Sequence, residues 1–146
     1  MKAVQSVAFE SPDKIRAVQE EGMRTLLHYV AANSRFYRRL FEQNSIDANA
    51  IQTLYDFSSI PVTTKDDMQK HNWDFLCVPR SEIAEFTSTS GTLGHPVTIA
   101  LTNGDLERLA FNEYNSFTCA GTGDADVFQL MLTLDRQFMA GIAYYS

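Results

Sequence analysis

The sequence is organised around one stretch, Ser88-Thr89-Ser90-Gly91-Thr92-Leu93-Gly94-His95-Pro96, which separates two apolar runs. Its glycines allow a tight turn in which backbone N–H groups converge on an anion. The hydroxyls of Thr89, Ser90 and Thr92 add further donors for phosphate oxygens. Composition leaves two interpretations open, a phosphate-holding loop and an ordinary Ser/Gly-rich hairpin loop. The Walker pattern is excluded, because no Gly-Lys-Ser/Thr follows at the required spacing.

The composition is typical of one soluble globular domain. The chain has 146 residues, of which 45% are hydrophobic and 21% charged, and this is enough to bury one core. Its 12 basic and 18 acidic residues give a formal charge of −6, which argues against a nucleic-acid partner. The sequence shows no signal peptide and no apolar run near the ~20 residues that cross a bilayer. Cys77 and Cys119 lack metal-type spacing, so we expect a reduced, cytoplasmic protein without a membrane partner.

Residues 1–80 are predicted to be mainly helical. Ser11-Pro12-Asp13 combines a capping hydroxyl, a first-turn proline and an acidic residue, which predicts a helix start. Ser34 is predicted to cap a second helix. The apolar face of that helix comprises Phe36, Tyr37, Leu40 and Phe41. We interpret the opposite face as solvated, with a carboxylate- or phosphate-binding role as the alternative; it carries Arg35, Arg38 and Arg39.

Two shorter helical segments are predicted before residue 80. The first begins at Asp47 and is expected to turn its apolar side inward through Ile51, Leu54 and Tyr55. The second begins at Thr64, because Asp67 follows at the three-residue spacing of a capping box.

Residues 81–146 are predicted to hold the glycine-rich loop and a βαβ unit. A strand at 97–101 is followed by a helix that opens at Asn103-Gly104-Asp105, and a second β-type run covers 126–134. Strand, helix and strand in this order predict two parallel strands joined by a right-handed crossover. The predicted fold class is therefore α/β, an N-terminal helical segment followed by a partial βαβ unit.

The last apolar run, residues 138–145, has a helix-like pattern and needs a surface to pack against. One hypothesis is self-association through this run, which would make the chain a non-catalytic interaction or dimerisation module. The other is that the run packs against a missing C-terminal part, in the same polypeptide or in a separately encoded half of a split enzyme.

Four stretches, in this order, resemble the phenylacetate–coenzyme A ligase family of adenylate-forming enzymes. They are Asn-Ser-Arg-Phe-Tyr-Arg at 33–38, Ile-Pro-Val-Thr-Thr-Lys-Asp-Asp at 60–67, the loop at 88–96, and Leu-Thr-Asn-Gly-Asp-Leu at 101–106. The loop departs from the superfamily motif at Leu93 and at His95, which stands where a lysine is usual. It matches the motif at Thr89, Ser90, Gly91, Thr92, Gly94 and Pro96.

The resemblance implies ATP-dependent adenylation of a carboxylic acid, phenylacetate-like, followed by thioester formation with coenzyme A, with Mg²⁺ accompanying ATP. The loop would hold the departing phosphates. This assigns cofactor binding to Thr89, Ser90, Gly91, Thr92, Leu93, Gly94 and His95. Residues 135–144 are similar to the family segment that lines the acid pocket. This assigns substrate binding to Phe138, Gly141 and Ala143, with helix packing into a core as the alternative.

The resemblance also implies that residues 1–146 are the N-terminal part of the ligase's large domain, because family members are far longer than this chain. The adenine and ribose contacts, the metal-binding acid and the mobile lid would lie elsewhere, so no catalytic or metal-binding residue is assigned. We therefore expect the chain to be inactive alone. The acid stays open among phenylacetate, benzoate-like and other aryl or small carboxylic acids.

Overall fold

The computed structural model describes residues 7, 9–89, 96–123, 125–129, 131 and 141–143. The chain divides into two compact units, Met1–Cys77 and Val78–Ser146. The helical segments of the first unit are α1 (Pro12–Asn33), α2 (Arg35–Gln43), α3 (Leu54–Phe57), α4 (Lys65–Lys70) and a 3₁₀ turn, Asn72–Phe75. The second unit holds a 3₁₀ turn (Arg80–Glu82), strands β1 (Glu85–Ser88) and β2 (Thr98–Leu101), and helix α5 (Asn103–Cys119).

The two long helices of the first unit begin at the predicted serines. The Ser11 hydroxyl accepts a hydrogen bond from the N–H of Lys14, and Pro12 is the first residue of α1. Ser34 ends α1 and starts α2, because its N–H donates to the carbonyl of Val30 while its Oγ accepts from the N–H of Tyr37. Both caps satisfy backbone groups that a helix end leaves without partners.

Helices α3, α4 and α5 each begin with a Thr-x-x-Asp capping box. In each box the threonine Oγ1 accepts from the aspartate N–H at 3.2 Å, and the aspartate Oδ2 accepts from the threonine N–H at 2.9 Å. The box at Thr64 confirms the prediction. The other two boxes pair Thr53 with Asp56 and Thr102 with Asp105.

The core of the first unit is formed by α1, α2 and the segment that follows them. Met23, Leu27, Phe41 and Ile51 are buried together. Partly buried hydrophobic residues pack around them: Val30, Ala31, Tyr37, Leu40, Ile46, Ala48 and Ile60. α2 thus turns Tyr37, Leu40 and Phe41 towards one cluster, to which α1 contributes Met23 and Leu27.

The predicted helical segment starting at Asp47 is wrong. The Asp47 carboxylate accepts from the backbone and side-chain N–H groups of Asn49, which closes a turn, and helix begins only after the Thr53 box. Ile51 is buried as expected, but Leu54 is 41% and Tyr55 is 85% exposed. The local carboxylate bond competes with helix here, as it often does for Asp.

A second set of contacts fixes the 3₁₀ turn to α2. The rings of Phe36 and Phe75 stack with their centroids 4.1 Å apart. The buried Ser34 hydroxyl donates to the carbonyl of Asp74 at 3.0 Å. Arg39 donates to the Asp74 carboxylate at 2.6 Å. The start of α2, with its cap Ser34, therefore holds this segment through an aromatic stack, a buried hydroxyl and an ion pair.

The arginines of α2 are exposed, as predicted, and two of them also have structural partners. Arg38 donates to the carbonyl of Ala32 at 2.6 Å, near the end of α1. Arg39 binds Asp74 as described above. These contacts favour a structural role for Arg38 and Arg39 over anion binding.

The second unit contains an antiparallel hairpin. β1 pairs with β2 from Glu85 opposite Leu101 to Ser88 opposite Thr98. The strand predicted at 97–101 is confirmed with one residue less, and α5 follows it directly. Since a short connection joins neighbouring strands only in antiparallel fashion, the loop between β1 and β2 dictates this pairing.

The predicted parallel βαβ unit is not confirmed. Residues 126–129 and 131 are described and lie outside any strand, and the rest of the predicted strand at 126–134 lies outside the described residues. α5 ends at Cys119, two residues before Gly121, whose φ of 90° suits glycine. The Phe128 ring then contacts Phe117 of α5, with centroids 4.8 Å apart. Phe128 thus contacts the helix through its side chain, whereas the sequence predicted that this segment pairs as a strand.

Across the ranges that the structure describes, no helix is both long and apolar enough to cross a membrane.

Acid is expected to destabilise the first unit through Asp74. The hydrogen bond from Arg39 lowers the pKa of Asp74 from its usual 3.8, while burial opposes the shift. A folded-state pKa below the unfolded one gives stability that is present above pH 3.8 and lost as the pH falls through the folded value. Thermal midpoints of the wild type should therefore fall more steeply below this pH than those of Asp74→Asn. Arg39→Met should show the same reduced acid dependence, and equal slopes in all three proteins would contradict the assignment.

Candidate functional site

The glycine-rich loop leaves and rejoins the sheet at one pair of residues, Thr89 and Val97, here called the loop base. The Thr89 N–H donates to the Val97 carbonyl at 3.0 Å. The Val97 N–H donates in return to the Thr89 side-chain Oγ1, also at 3.0 Å. Two hydrogen bonds thus hold the ends of the loop together, one to the backbone and one to a side chain.

The loop base stands on a buried part of the hairpin. Val97 is 2% exposed and Leu101 is 7% exposed. Thr87, opposite Ile99 in the register, is completely buried. Because these positions cannot move without disturbing the packing around them, the strands restrict the motion of the two ends of the loop.

The structure describes three of the predicted site residues. Thr89 is exposed and forms half of the loop base. Gly141 and Ala143 are buried in the helical residues 141–143. Their burial fits both interpretations given above, pocket lining and core packing, so their assignment stays a prediction.

The remaining predicted site residues lie outside the described residues: Ser90, Gly91, Thr92, Leu93, Gly94, His95 and Phe138. Most of the apolar run at 138–145 lies outside them as well, so association through that run stays a prediction.

Three of the four family-like stretches have a visible structural role. The stretch at 33–38 supplies the Ser34 cap and the Phe36 stack. The stretches at 60–67 and 101–106 each contain a Thr-x-x-Asp capping box. Of the fourth stretch, 88–96, the structure describes Ser88, Thr89 and Pro96, and Thr89 forms the loop base with Val97.

Two of these stretches also contact each other, which the sequence did not predict. The Tyr37 hydroxyl and the Thr63 Oγ1 are 3.2 Å apart and share a hydrogen bond. Tyr37 lies in the stretch 33–38 and Thr63 in 60–67. Periodicity along the chain carries no information about a contact between residues 26 positions apart.

The charged groups of the described residues do not form a metal centre. Within those ranges, no group of three or more His, Cys, Asp or Glu side chains could hold a metal ion. An open surface pocket of about 450 Å³ in the first unit mixes both signs of charge, with Arg38 beside Glu42 and Asp47. Its opposed charges give it no preference for an anion such as phosphate.

Comparisons with known proteins define the class of the fold. A solved 2-hydroxyisobutyryl-CoA ligase, bound to 2-HIB-AMP and CoA, matches with a TM-score of 0.65 and 26% identity over 70% of this chain and 23% of that one. In its postadenylation state the TM-score is 0.72 over 79% of this chain and 25% of that one, where the 23% identity shows the fold alone. The chain thus has the fold of part of an adenylate-forming CoA ligase. No family model matches the sequence.

The sequence matches narrow the class to one family. Phenylacetate-coenzyme A ligase of Thermus thermophilus is 36% identical over 110 residues, which is 75% of this chain and 25% of the relative. The Escherichia coli enzyme of the same name is 27% identical over 117 residues, 80% of this chain and 27% of the relative. The chain belongs to the phenylacetate–coenzyme A ligase family, as its motifs predicted. It spans about a quarter of the length of the curated relatives that it matches.

Proposed function

We propose that this chain supplies the phosphate-holding loop of an ATP-dependent acid–coenzyme A ligase, as the N-terminal part of the large domain. The observation that carries the proposal is the loop base. Two hydrogen bonds at the buried end of the hairpin hold both ends of the loop together. The loop matches the adenylate-forming motif at six positions. The names of the relatives support the reaction class.

The loop would act by electrostatic stabilisation. When a carboxylate oxygen attacks the α-phosphate of ATP, the bond to pyrophosphate breaks and negative charge builds on the departing phosphates. Backbone N–H groups at residues 90–94 and the hydroxyls of Ser90 and Thr92 would donate to those oxygens. His95 would contribute less than the usual lysine, since an imidazole with an ordinary pKa of ~6.5 is mostly neutral at pH 7.

The rest of the reaction draws on groups that this chain supplies only in part. Gly141 and Ala143, with Phe138, are proposed to line the acid pocket, where small side chains leave room for a ring. Mg²⁺ would arrive with the phosphates of ATP, and coenzyme A would take the acyl group in the second step. A cytoplasmic location belongs to the same proposal.

Nucleotide titration of the chain tests this function. MgATP should shift the backbone amide signals of Gly91 and Gly94 in an NMR spectrum, and inorganic pyrophosphate should shift the same signals. AMP is the matched control, because it lacks the departing phosphates and should leave both signals in place. Unchanged glycine signals with MgATP would contradict phosphate binding by the loop.

Turnover is tested separately. With ATP, Mg²⁺, coenzyme A and a panel of aryl acids, the 146-residue chain should release no pyrophosphate above a no-enzyme control. A measurable rate would contradict the expectation that the chain is inactive alone, while leaving the assignment of the loop intact.

A further inference from the structure

We propose that Thr89 is a positioning residue: its side chain sets the path on which the loop leaves the sheet, and it acts on phosphate only through that path. The inference rests on the proposed function and deepens it, since the motif alone would make Thr89 one phosphate donor among several. It depends on Thr89 and Val97, which are both described by the structure.

The register of the hairpin shows that, at the loop base, a side-chain acceptor replaces a backbone carbonyl. Continuing the pairing past Ser88 and Thr98 places Thr89 opposite Val97. In an antiparallel ladder, two residues that form a hydrogen-bonded pair exchange both bonds between their backbones. Here Thr89 donates its N–H to the Val97 carbonyl in the normal way, but the Val97 N–H binds Oγ1 of Thr89 instead of the Thr89 carbonyl.

This replacement of a backbone bond by a side-chain bond ends the sheet at a defined residue. β1 stops at Ser88 and β2 starts at Thr98, one position short of the loop base. Because the side chain takes the place of the Thr89 carbonyl, the backbone can turn out of the ladder at Thr89 without leaving the Val97 N–H unpaired. Val97 is 2% exposed, and a buried N–H without a partner is costly. The ladder therefore ends at Thr89 with the Val97 N–H still paired.

The contact requires a side-chain acceptor close to the backbone at position 89. Serine carries the same acceptor on the same carbon atom, whereas valine matches the shape of threonine but has no acceptor. A hydroxyl that accepts one bond keeps its own hydrogen as a donor, and Thr89 is exposed. A direct contact between the Thr89 hydroxyl and phosphate is therefore the competing explanation, and an experiment must distinguish it from positioning of the loop.

The experiment compares Thr89→Val and Thr89→Ser with the wild type, using Thr98→Val as the matched control on the same hairpin. Hydrogen exchange of the Val97 amide reports the contact, the Gly91 and Gly94 amide signals report the loop, and pyrophosphate titration reports affinity. Thr89→Val should speed Val97 exchange about tenfold, move both glycine signals without ligand, and weaken pyrophosphate binding about tenfold. Thr89→Ser should stay within about twofold of the wild type in exchange and affinity, and Thr98→Val should leave the Val97 amide protected.

Two outcomes would overturn the proposal. In the first, Val97 exchange is unchanged in Thr89→Val while pyrophosphate affinity falls, which makes Thr89 a direct ligand. In the second, Val97 exchange rises but the ligand-free glycine signals and the affinity stay at wild-type values, which makes the contact irrelevant to the loop. If the wild type binds no pyrophosphate, the proposed function fails, but the exchange rates and glycine signals of the ligand-free variants still decide the role of Thr89.

Discussion

Replacing Phe36 by alanine is expected to lower the free energy of unfolding by about 3–5 kcal/mol, the range for removing a buried aromatic ring. Phe36 is 8% exposed and stacks on Phe75 at 4.1 Å, so the variant loses both burial and a specific ring contact. The only tryptophan, Trp73, lies in the 3₁₀ turn that contains Phe75. Its fluorescence during urea unfolding measures the loss where it should occur.

Tyr55→Ala is the matched control for this variant. Tyr55 is 85% exposed, and removal of such a side chain should change stability by less than about 0.5 kcal/mol. A double-mutant cycle with Phe75→Ala should return a coupling of about 0.5–1.5 kcal/mol for the stack. Equal losses for Phe36→Ala and Tyr55→Ala, or a coupling of zero, would contradict the role assigned to the stack.

Ser34→Ala is expected to cost about 2–4 kcal/mol, because one hydroxyl serves two elements. Its Oγ accepts from the Tyr37 N–H at the start of α2 and donates to the Asp74 carbonyl. The serine is completely buried, so water cannot easily replace the lost partner. Thermal unfolding followed by circular dichroism measures the whole loss, and Trp73 fluorescence measures release of the 3₁₀ turn.

Ser11→Ala separates the two parts of that effect. Ser11 caps α1 but is exposed, so its removal should cost only about 0.5–1 kcal/mol. The difference between the two serine variants estimates the contribution of the bond to Asp74. If Ser34→Ala proved no more damaging than Ser11→Ala, the buried hydrogen bond would contribute nothing.

The helix starts could be predicted from the sequence because they depend on neighbouring residues. Ser11, Ser34 and the Thr64–Asp67 pair bind backbone groups only three residues away, and such spacings are visible in any single sequence. The failure at Asp47 has the same origin: its carboxylate had two local options, a helix start and a turn with Asn49, and composition did not rank them.

The long-range contacts could not be predicted in this way. The Ser34 hydroxyl reaches Asp74, 40 residues along the chain, and the Tyr37 hydroxyl reaches Thr63, 26 residues along. At the candidate site the sequence predicted the loop and its donors, but the replacement of a carbonyl by a side chain at Thr89 depends on strand register. Register is fixed by packing and by the loop itself, so it becomes visible only in three dimensions.

The repeated Thr-x-x-Asp boxes have a consequence for the order in which the chain acquires structure on the ribosome. A capping box joins residues only three apart, so both residues that mark the start of α3, α4 or α5 emerge together. The aromatic stack and the Ser34 bond must wait for the 3₁₀ turn, and the loop base must wait for β2. The starts of these three helices are thus specified by local sequence, whereas the loop base needs both strands.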